Sequence, residues 1–238
     1  MVPGLAFPGK VGQRNVLGGA LAGRRVPSAE ARLTLDGCDL LLVGTIAGFL
    51  PDAERVRAAF EAHRPDRLGL GVPPEDLPTL RLLAQEPHRD AELQGLDEAE
   101  AHFQGLLARF GATRVPSPDL EAAERCAAAA GIPVEALDMD DLVHSAAYTQ
   151  TMKVRHLIRA SSRRKKALKS EFKDAADAYG LAAQWDDALA VGPMRRLEQA
   201  REAHMAARLR EVAKGSQRLL AVVPVARLAG IVQALSTT

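Results

Sequence analysis

Residues 38–72, CDLLLVGTIAGFLPDAERVRAAFEAHRPDRLGLGV, decide the fold. An apolar run at residues 40–43 stops at Gly44, and Pro51 and Asp52 stand where a helix can begin. Val56, Ala59 and Phe60 then recur at helical spacing until His63, Arg64 and Pro65, after which a second apolar run fills residues 67–72. Strand, glycine loop, helix and strand in that order open an α/β sheet, and ligands of such sheets gather beyond the carboxyl ends of the strands. The loop GTIAGF at residues 44–49 is therefore the first place to look for function. Its Gly44 and Gly48 lack the G-x-G-x-x-G spacing and no Gly-Lys-Ser/Thr follows, so tight turns explain them better than a phosphate loop.

Upstream, residues 1–30 are rich in Gly and Pro, carry Lys10, Arg14, Arg24 and Arg25, and read as a flexible extension. Leu33 and Leu35 alternate before Asp36 and Gly37, which predicts a hairpin into the strand. Downstream, Pro73, Pro74 and Pro78 defer the next regular element until past Leu80. Phe103, Leu106, Leu107 and Phe110 predict a helix over residues 96–110 closed by Gly111. Ser117 and Pro118 begin another, stopped by Gly131. Residues 132–137 read as a third strand delivering Asp138, Asp140 and Asp141 at its carboxyl end. Helical spacing covers residues 142–190, with apolar Val154, Ile158, Leu168, Phe172 and Ala175 on the inner face and a charged joint at residues 161–166. A longer helix over residues 195–214 precedes a strand at 219–223 and a short helix at 228–235. The expected class is α/β: a central mixed or mostly parallel sheet flanked by helices, one domain over residues 31–238, with a helix-rich insertion at 142–214 before the last strand.

Composition narrows the function classes. At 238 residues with 47% hydrophobic and 4% aromatic content, the core must be built from Leu, Val and Ala. With 31 Lys and Arg against 30 Asp and Glu, global charge gives no case for nucleic acid or an anionic membrane. Cys38 and Cys126 read as two buried thiols outside any disulfide or metal pattern. Residues 40–50, the longest uncharged apolar stretch, are too short to span a bilayer, and the expectation is a soluble, cytoplasmic protein. One local cluster stands out. Residues 153–173 hold nine basic side chains, Lys153, Arg155, Arg159, Arg163, Arg164, Lys165, Lys166, Lys169 and Lys173, against one acid, Glu171. Spacings of three and four put Arg155, Arg159, Arg163, Lys166, Lys169 and Lys173 on one helix face. That face is either solvated or a patch for an anionic partner such as nucleic acid or membrane; without interleaved aromatics, base stacking is not part of it.

Several separated stretches, in order, resemble the TraB/PrgY family, which is related to the Tiki metalloproteases and erythromycin esterase-like proteins. Val43, Gly44 and Thr45 match a V-G-T-x-H loop, and Arg64, Pro65 and Asp66 an R-P-D. Residues 118–123 resemble a P-G-x-E-M-x-A-A helix start and residues 134–138 a strand ending L-I-D. Arg201, Met205, Ala206 and Leu209, then Val222, Val223, Gly230 and Ile231, resemble the last helix and strand-loop. The departures fall on the family's working residues. Its first-loop histidine aligns with Ala47, its glutamate after the second strand with Gly71, its last-loop histidine with Arg227, and an arginine with Asp76.

Two histidines and a glutamate of that kind hold or work with a divalent metal in the Tiki members. Alanine and glycine offer no side-chain ligand, and a guanidinium repels a cation. The resemblance thus implies a pseudoenzyme with no catalytic residue and no cofactor or metal, binding a peptide, another ligand or a protein partner through Gly44, Thr45, Asp138, Arg201 and Arg227. A homo-oligomer is compatible with it. Arg227 either receives a carboxylate or phosphate ligand in a roomier cationic pocket, or pairs with Asp138 or reaches solvent. Two alternatives stay open: a divergent metal-dependent hydrolase using Asp138, Asp140, Glu75 or His144, and an electrostatic binder acting through the basic helix. None of the six histidines, His63, His88, His102, His144, His156 and His204, forms an H-E-x-x-H or comparable pair.

Overall fold

Asp36 and Gly37 turn the chain with φ of 49° and 90°, and this left-handed pair joins β1 (Glu30–Leu35) to β2 (Cys38–Thr45) as an antiparallel hairpin. The computed structural model describes residues 29–85 and 96–237. The expected extension over residues 1–30 lies outside them save for its last two positions. After β2, Pro51 starts α1 (Leu50–His63), which ends at Arg64 in the left-handed region with φ of 48°. The chain then forms β3 (Arg67–Leu70), α2 (Asp76–Gln85), α3 (Glu98–Leu107), α4 (Pro118–Ala130) and β4 (Val134–Ala136). Four helices follow, α5 (Asp141–Thr151), α6 (Val154–Ala167), α7 (Ala178–Leu189) and α8 (Gly192–Ala213). They precede β5 (Arg218–Pro224) and α9 (Val225–Ser236).

The strand order is β1-β2-β5-β3-β4, and every pair except β1–β2 is parallel. The protein is thus an α/β fold around a mixed, mostly parallel sheet, with the helix-rich stretch before the last strand. β5 enters between β2 and β3, pairing Leu41 with Leu220 on one side and Leu68 with Leu220 on the other. Parallel strands covered on both faces need apolar side chains in both directions. Leu40, Leu42, Leu219 and Ala221 pack on α8 and α9 through Met205, Leu209, Val212 and Ile231. Val43, Leu68, Leu70, Leu220 and Val222 pack on α1, α2 and α4 through Val56, Leu80, Ala123 and Ala127.

The Arg64–Pro65–Asp66 turn anchors the amino edge. His63 Nε2 lies 3.2 Å from both Asp39 O and Leu219 O. Asp66 accepts from Gln217 N at 2.8 Å and Arg218 N at 3.2 Å, and also from the Ser216 hydroxyl, so it ties down the start of β5.

Several expected boundaries differ for local reasons. Pro78 does not defer α2 but sits in its first turn, where a helix needs no N–H. α3 stops at Leu107, not at Gly111; its start is fixed by Asp97, which accepts from Ala99 N and Glu100 N in a capping box with Glu100. Gly111 instead gives room to Phe49 and Pro51, each 3.0 Å from where its Cβ would stand. The break in the basic segment falls at Met152 and Lys153, and residues 161–166 lie inside α6. α6 ends at Ala167, so Lys169 and Lys173 are not on its face. Val154 and Ile158 are not on an inner face either, being 73% and 68% exposed. Cys38 is buried, Cys126 is only half-buried, and both are free thiols.

Candidate functional site

Because β2, β5 and β3 are neighbours and parallel, the chain leaves their carboxyl ends side by side. Ala47, Gly71 and Arg227 all follow those ends. Ala47 is exposed, and its carbonyl accepts from Gln104 Nε2 at 2.9 Å. Gly71 donates its N–H to Val222 O at 2.8 Å. A Cβ at Gly71 would stand 2.9 Å from Pro224 Cδ and 3.1 Å from Val223 Cα, so this backbone position has no space for a side chain. Gly44 is similarly constrained, since its Cβ would lie 3.1 Å from Leu228 Cδ2 and 3.2 Å from Val225 Cα. This close approach lets α9 start directly against β2.

No loop separates β5 from α9, and that changes the fate of Arg227. Held in the first turn of α9, it donates Nε–H to Glu198 Oε2 at 2.7 Å and lies 3.7 Å from Asp138 Oδ2. Of the alternatives for Arg227, the pairing with Asp138 is the one seen here, and α8 adds Glu198 as a second acid on the same guanidinium. The mouth itself is packed shut. Ile46 and Phe49 from the loop after β2, and Val225 from α9, join Leu106, Leu107, Ala167, Leu181 and Trp185 in a third apolar cluster that α3, α6 and α7 build. Trp185 stacks on Phe103 with centroids 5.3 Å apart and meets Phe172 edge-on at 5.8 Å.

Two buried ionic groups flank this plug. Asp138 is 3% exposed and follows β4; its Oδ1 accepts from Met139 N at 2.8 Å and from Arg201 Nε at 3.1 Å, while Oδ2 accepts from the Arg201 Nη2. Arg201 Nη1 also reaches Glu198 Oε1 at 3.5 Å. Asp138, Glu198, Arg201 and Arg227 form a ring in which each guanidinium touches both acids. Two further carboxyls belong to this neighbourhood. Asp186 is pushed up to about 6 by burial and by the Glu198 charge, although the residue keeps an exposed surface. Glu202 is raised by burial and then by Glu198.

The second group centres on Asp52, which is fully buried and accepts from Ile46 N at 2.7 Å, Arg55 Nη1 at 2.6 Å and the Tyr179 hydroxyl. Burial, then the Asp52 contact, moves Tyr179 far above the usual tyrosine range. Asp119, 2% exposed in the first turn of α4, is pushed up to about 6 by burial against the opposing pull of the Thr45 hydrogen bond. Its Oδ1 has no hydrogen-bond partner among the described residues. Thr45 is thus directed at Asp119. No motif singles out Asp52, Arg55, Asp119, Tyr179 or Glu198; the one signal is the repeated Pro-Asp that opens both α1 and α4.

Of the substitute metal ligands, Asp138, Glu75 and Asp140 are engaged otherwise, and the His144 ring lies 6.4 Å from that of Tyr148. Glu75 Oε1 accepts from Asp141 N at 2.5 Å, and Asp140 Oδ1 caps α5 through Val143 N at 2.8 Å. Among the described residues no three His, Cys, Asp or Glu side chains are grouped as metal ligands. An open cleft of about 340 Å³ lies beside the edge strand β4, lined by Pro74, Leu77, Glu135, Asp140, His204 and Arg208.

The basic residues divide into two sets. Arg163 donates to Ala188 O and Asp187 O, each at 2.8 Å, satisfying the carboxyl end of α7. Arg164 reaches Asp97 Oδ1 at 2.8 Å, and Lys173 pairs with Glu171 at 2.9 Å. Arg155 donates to His156 Nε2 at 3.2 Å. Arg159, Lys165, Lys166 and Lys169 are exposed. No family model matches the chain, and no curated protein matches it.

Proposed function

We propose that this chain is a divergent TraB/PrgY-like domain that works by binding and carries no hydrolytic chemistry, with its ligand seat displaced from the mouth of the sheet to the cleft beside β4. The observation that carries the reading is the plug. The end of the sheet where a metal and its water would stand is filled by the Trp185 cluster, and Arg227 there is held by Glu198 and Asp138. The cleft beside β4 offers a different chemistry. Arg208, paired with Glu211 and 3.9 Å from Glu135, and Glu135, also paired with Arg67 at 3.1 Å, line the cleft with Asp140 and an apolar wall of Pro74 and Leu77, a mixture suited to a short peptide or another polar ligand of both charges that exchanges into these pairs. β4 is one of the two edge strands of the sheet, and among the described residues no strand pairs with its outer side, so an extended peptide also finds backbone groups there.

Metal analysis and peptidase assays on the purified protein test the first half. Stoichiometric zinc, cobalt or manganese together with peptide hydrolysis sinks the reading. The second half is tested by titrating a library of zwitterionic tri- to hexapeptides calorimetrically. Saturable binding weakened about tenfold or more by Arg208→Ala is expected, and equal binding by the wild type and this variant would place the ligand elsewhere.

A further inference from the structure

Residues 142–170 contain eight Lys and Arg and no Asp or Glu. Within them lie six of the eight large apolar side chains exposed among the described residues: Leu142 at 84%, Val143 at 45%, Tyr148, Val154 at 73%, Leu157 and Ile158 at 68%. α5 has no buried residue at all, and after Asp141 it carries no charge. On α6 the arrangement is ordered around the helix. Ala167 is the one buried residue, with His156, Ala160 and Arg163 half-buried on the same side. At 100° per residue the opposite side presents Val154, Ile158, Ser161 and Lys165, with Arg155, Arg159 and Lys166 along one flank and Leu157 on the other.

A water-facing helix surface places charge at its centre and apolar groups toward its packed side; α6 does the reverse over its first two turns. We infer that the outward face of α6, continued by exposed residues of α5, docks on the surface of an anionic lipid bilayer. Val154, Leu157 and Ile158 enter the boundary between headgroups and acyl chains, while Arg155, Arg159, Lys165 and Lys166 extend to lipid phosphates.

Charge decides among the partners. A second copy of this face brings the same acid-free surface against itself. Residues 1–28 of the same chain contain four bases and no acid, so they repel it too. Nucleic acid satisfies the cations yet leaves three branched aliphatic side chains against a phosphate backbone, and no aromatic is interleaved among the basic residues of α6 for stacking. A bilayer bearing anionic headgroups matches both components at the same depth.

The test is co-sedimentation of the full chain with vesicles of phosphatidylcholine alone, or with about one third phosphatidylserine. Binding to the serine-containing vesicles only, weakening steeply between 0.1 and 0.5 M salt, is expected. Lys165→Gln with Lys166→Gln should lower the partition about thirty-fold, two cationic contacts being removed. Val154→Ser with Ile158→Ser should lower it about tenfold with the circular dichroism spectrum unchanged, since both side chains are exposed. Absence of binding to serine-containing vesicles overturns the inference, as does binding indifferent to Val154→Ser with Ile158→Ser. Duplex DNA or RNA that displaces the vesicles and binds that double variant at full strength assigns the face to nucleic acid instead.

Discussion

Burial pushes the carboxyl of Asp119 up to about 6, whereas in an unfolded chain an aspartate titrates near about 4. Between those values the folded protein holds the proton and the unfolded chain releases it. Stability from this group is therefore fully present below pH 4 and is lost as pH rises toward 6 and above, a change on the order of 2 kcal/mol. Urea titrations from pH 4 to 7 should show that difference between the wild type and Asp119→Asn, with the variant lacking this downward component. The ionic ring makes a second residue-level prediction. Arg201→Met leaves the buried Asp138 with the Met139 N–H and with Arg227 3.7 Å away, and should cost about 3 kcal/mol in urea denaturation. Asp138→Leu combined with Arg201→Met should recover most of that loss, because a buried ion pair replaced by apolar groups is close to neutral. Asp138, Arg201 and Arg227 are all visible in the sequence as charged residues at strand ends or on a late helix. Glu198 is not, since nothing local shows that an acid on α8 will face the first turn of α9.

At the scale of elements, close approach governs what the glycines tolerate. Gly71→Ala presses a Cβ against Pro224 and Val223 at 2.9 and 3.1 Å and should lower stability by about 1–3 kcal/mol. Gly105→Ala in α3 meets nothing within 4 Å and should raise it by about 0.5–1 kcal/mol. Thermal melts of the two variants should move in opposite directions. Strand, helix and loop order could be read directly from periodicity in residues 38–72, and the Asp36–Gly37 hairpin from turn chemistry. The orientation of α6 could not: Val154 and Ile158 have the spacing of a buried stripe, and only the tertiary packing of Ala167, Ala160 and Arg163 decides that the stripe faces outward. Likewise the plug over the sheet joins Ile46 and Phe49 to Trp185, residues more than a hundred positions apart, and no local pattern announces such a contact.

On the scale of the whole molecule, the fold is held together across its longest helical excursion. Among the described residues, trypsin should cut first in the exposed basic stretch between Arg155 and Lys169, because the neighbouring apolar residues of α6 offer little buried surface to resist local opening. The two fragments should nevertheless elute together on gel filtration and separate in urea, since one contributes β1 to β4 and the other β5, paired on both sides. Fragments that part in plain buffer would contradict that account.

The position of β5 has a bearing on how the protein is made. Of the five strands among the described residues it is the last to be synthesised, yet it lies in the middle of the sheet. Until residues 218–224 emerge from the ribosome, β2 and β3 present facing, unpaired edges, a slot shaped for one apolar strand. At high synthesis rates the strand that fills the slot can come from a neighbouring nascent chain, giving exchanged dimers or aggregates. Lowering the number of chains synthesised at once, or supplying a holdase chaperone, should raise the yield of unexchanged protein more than any stabilising substitution elsewhere in the fold.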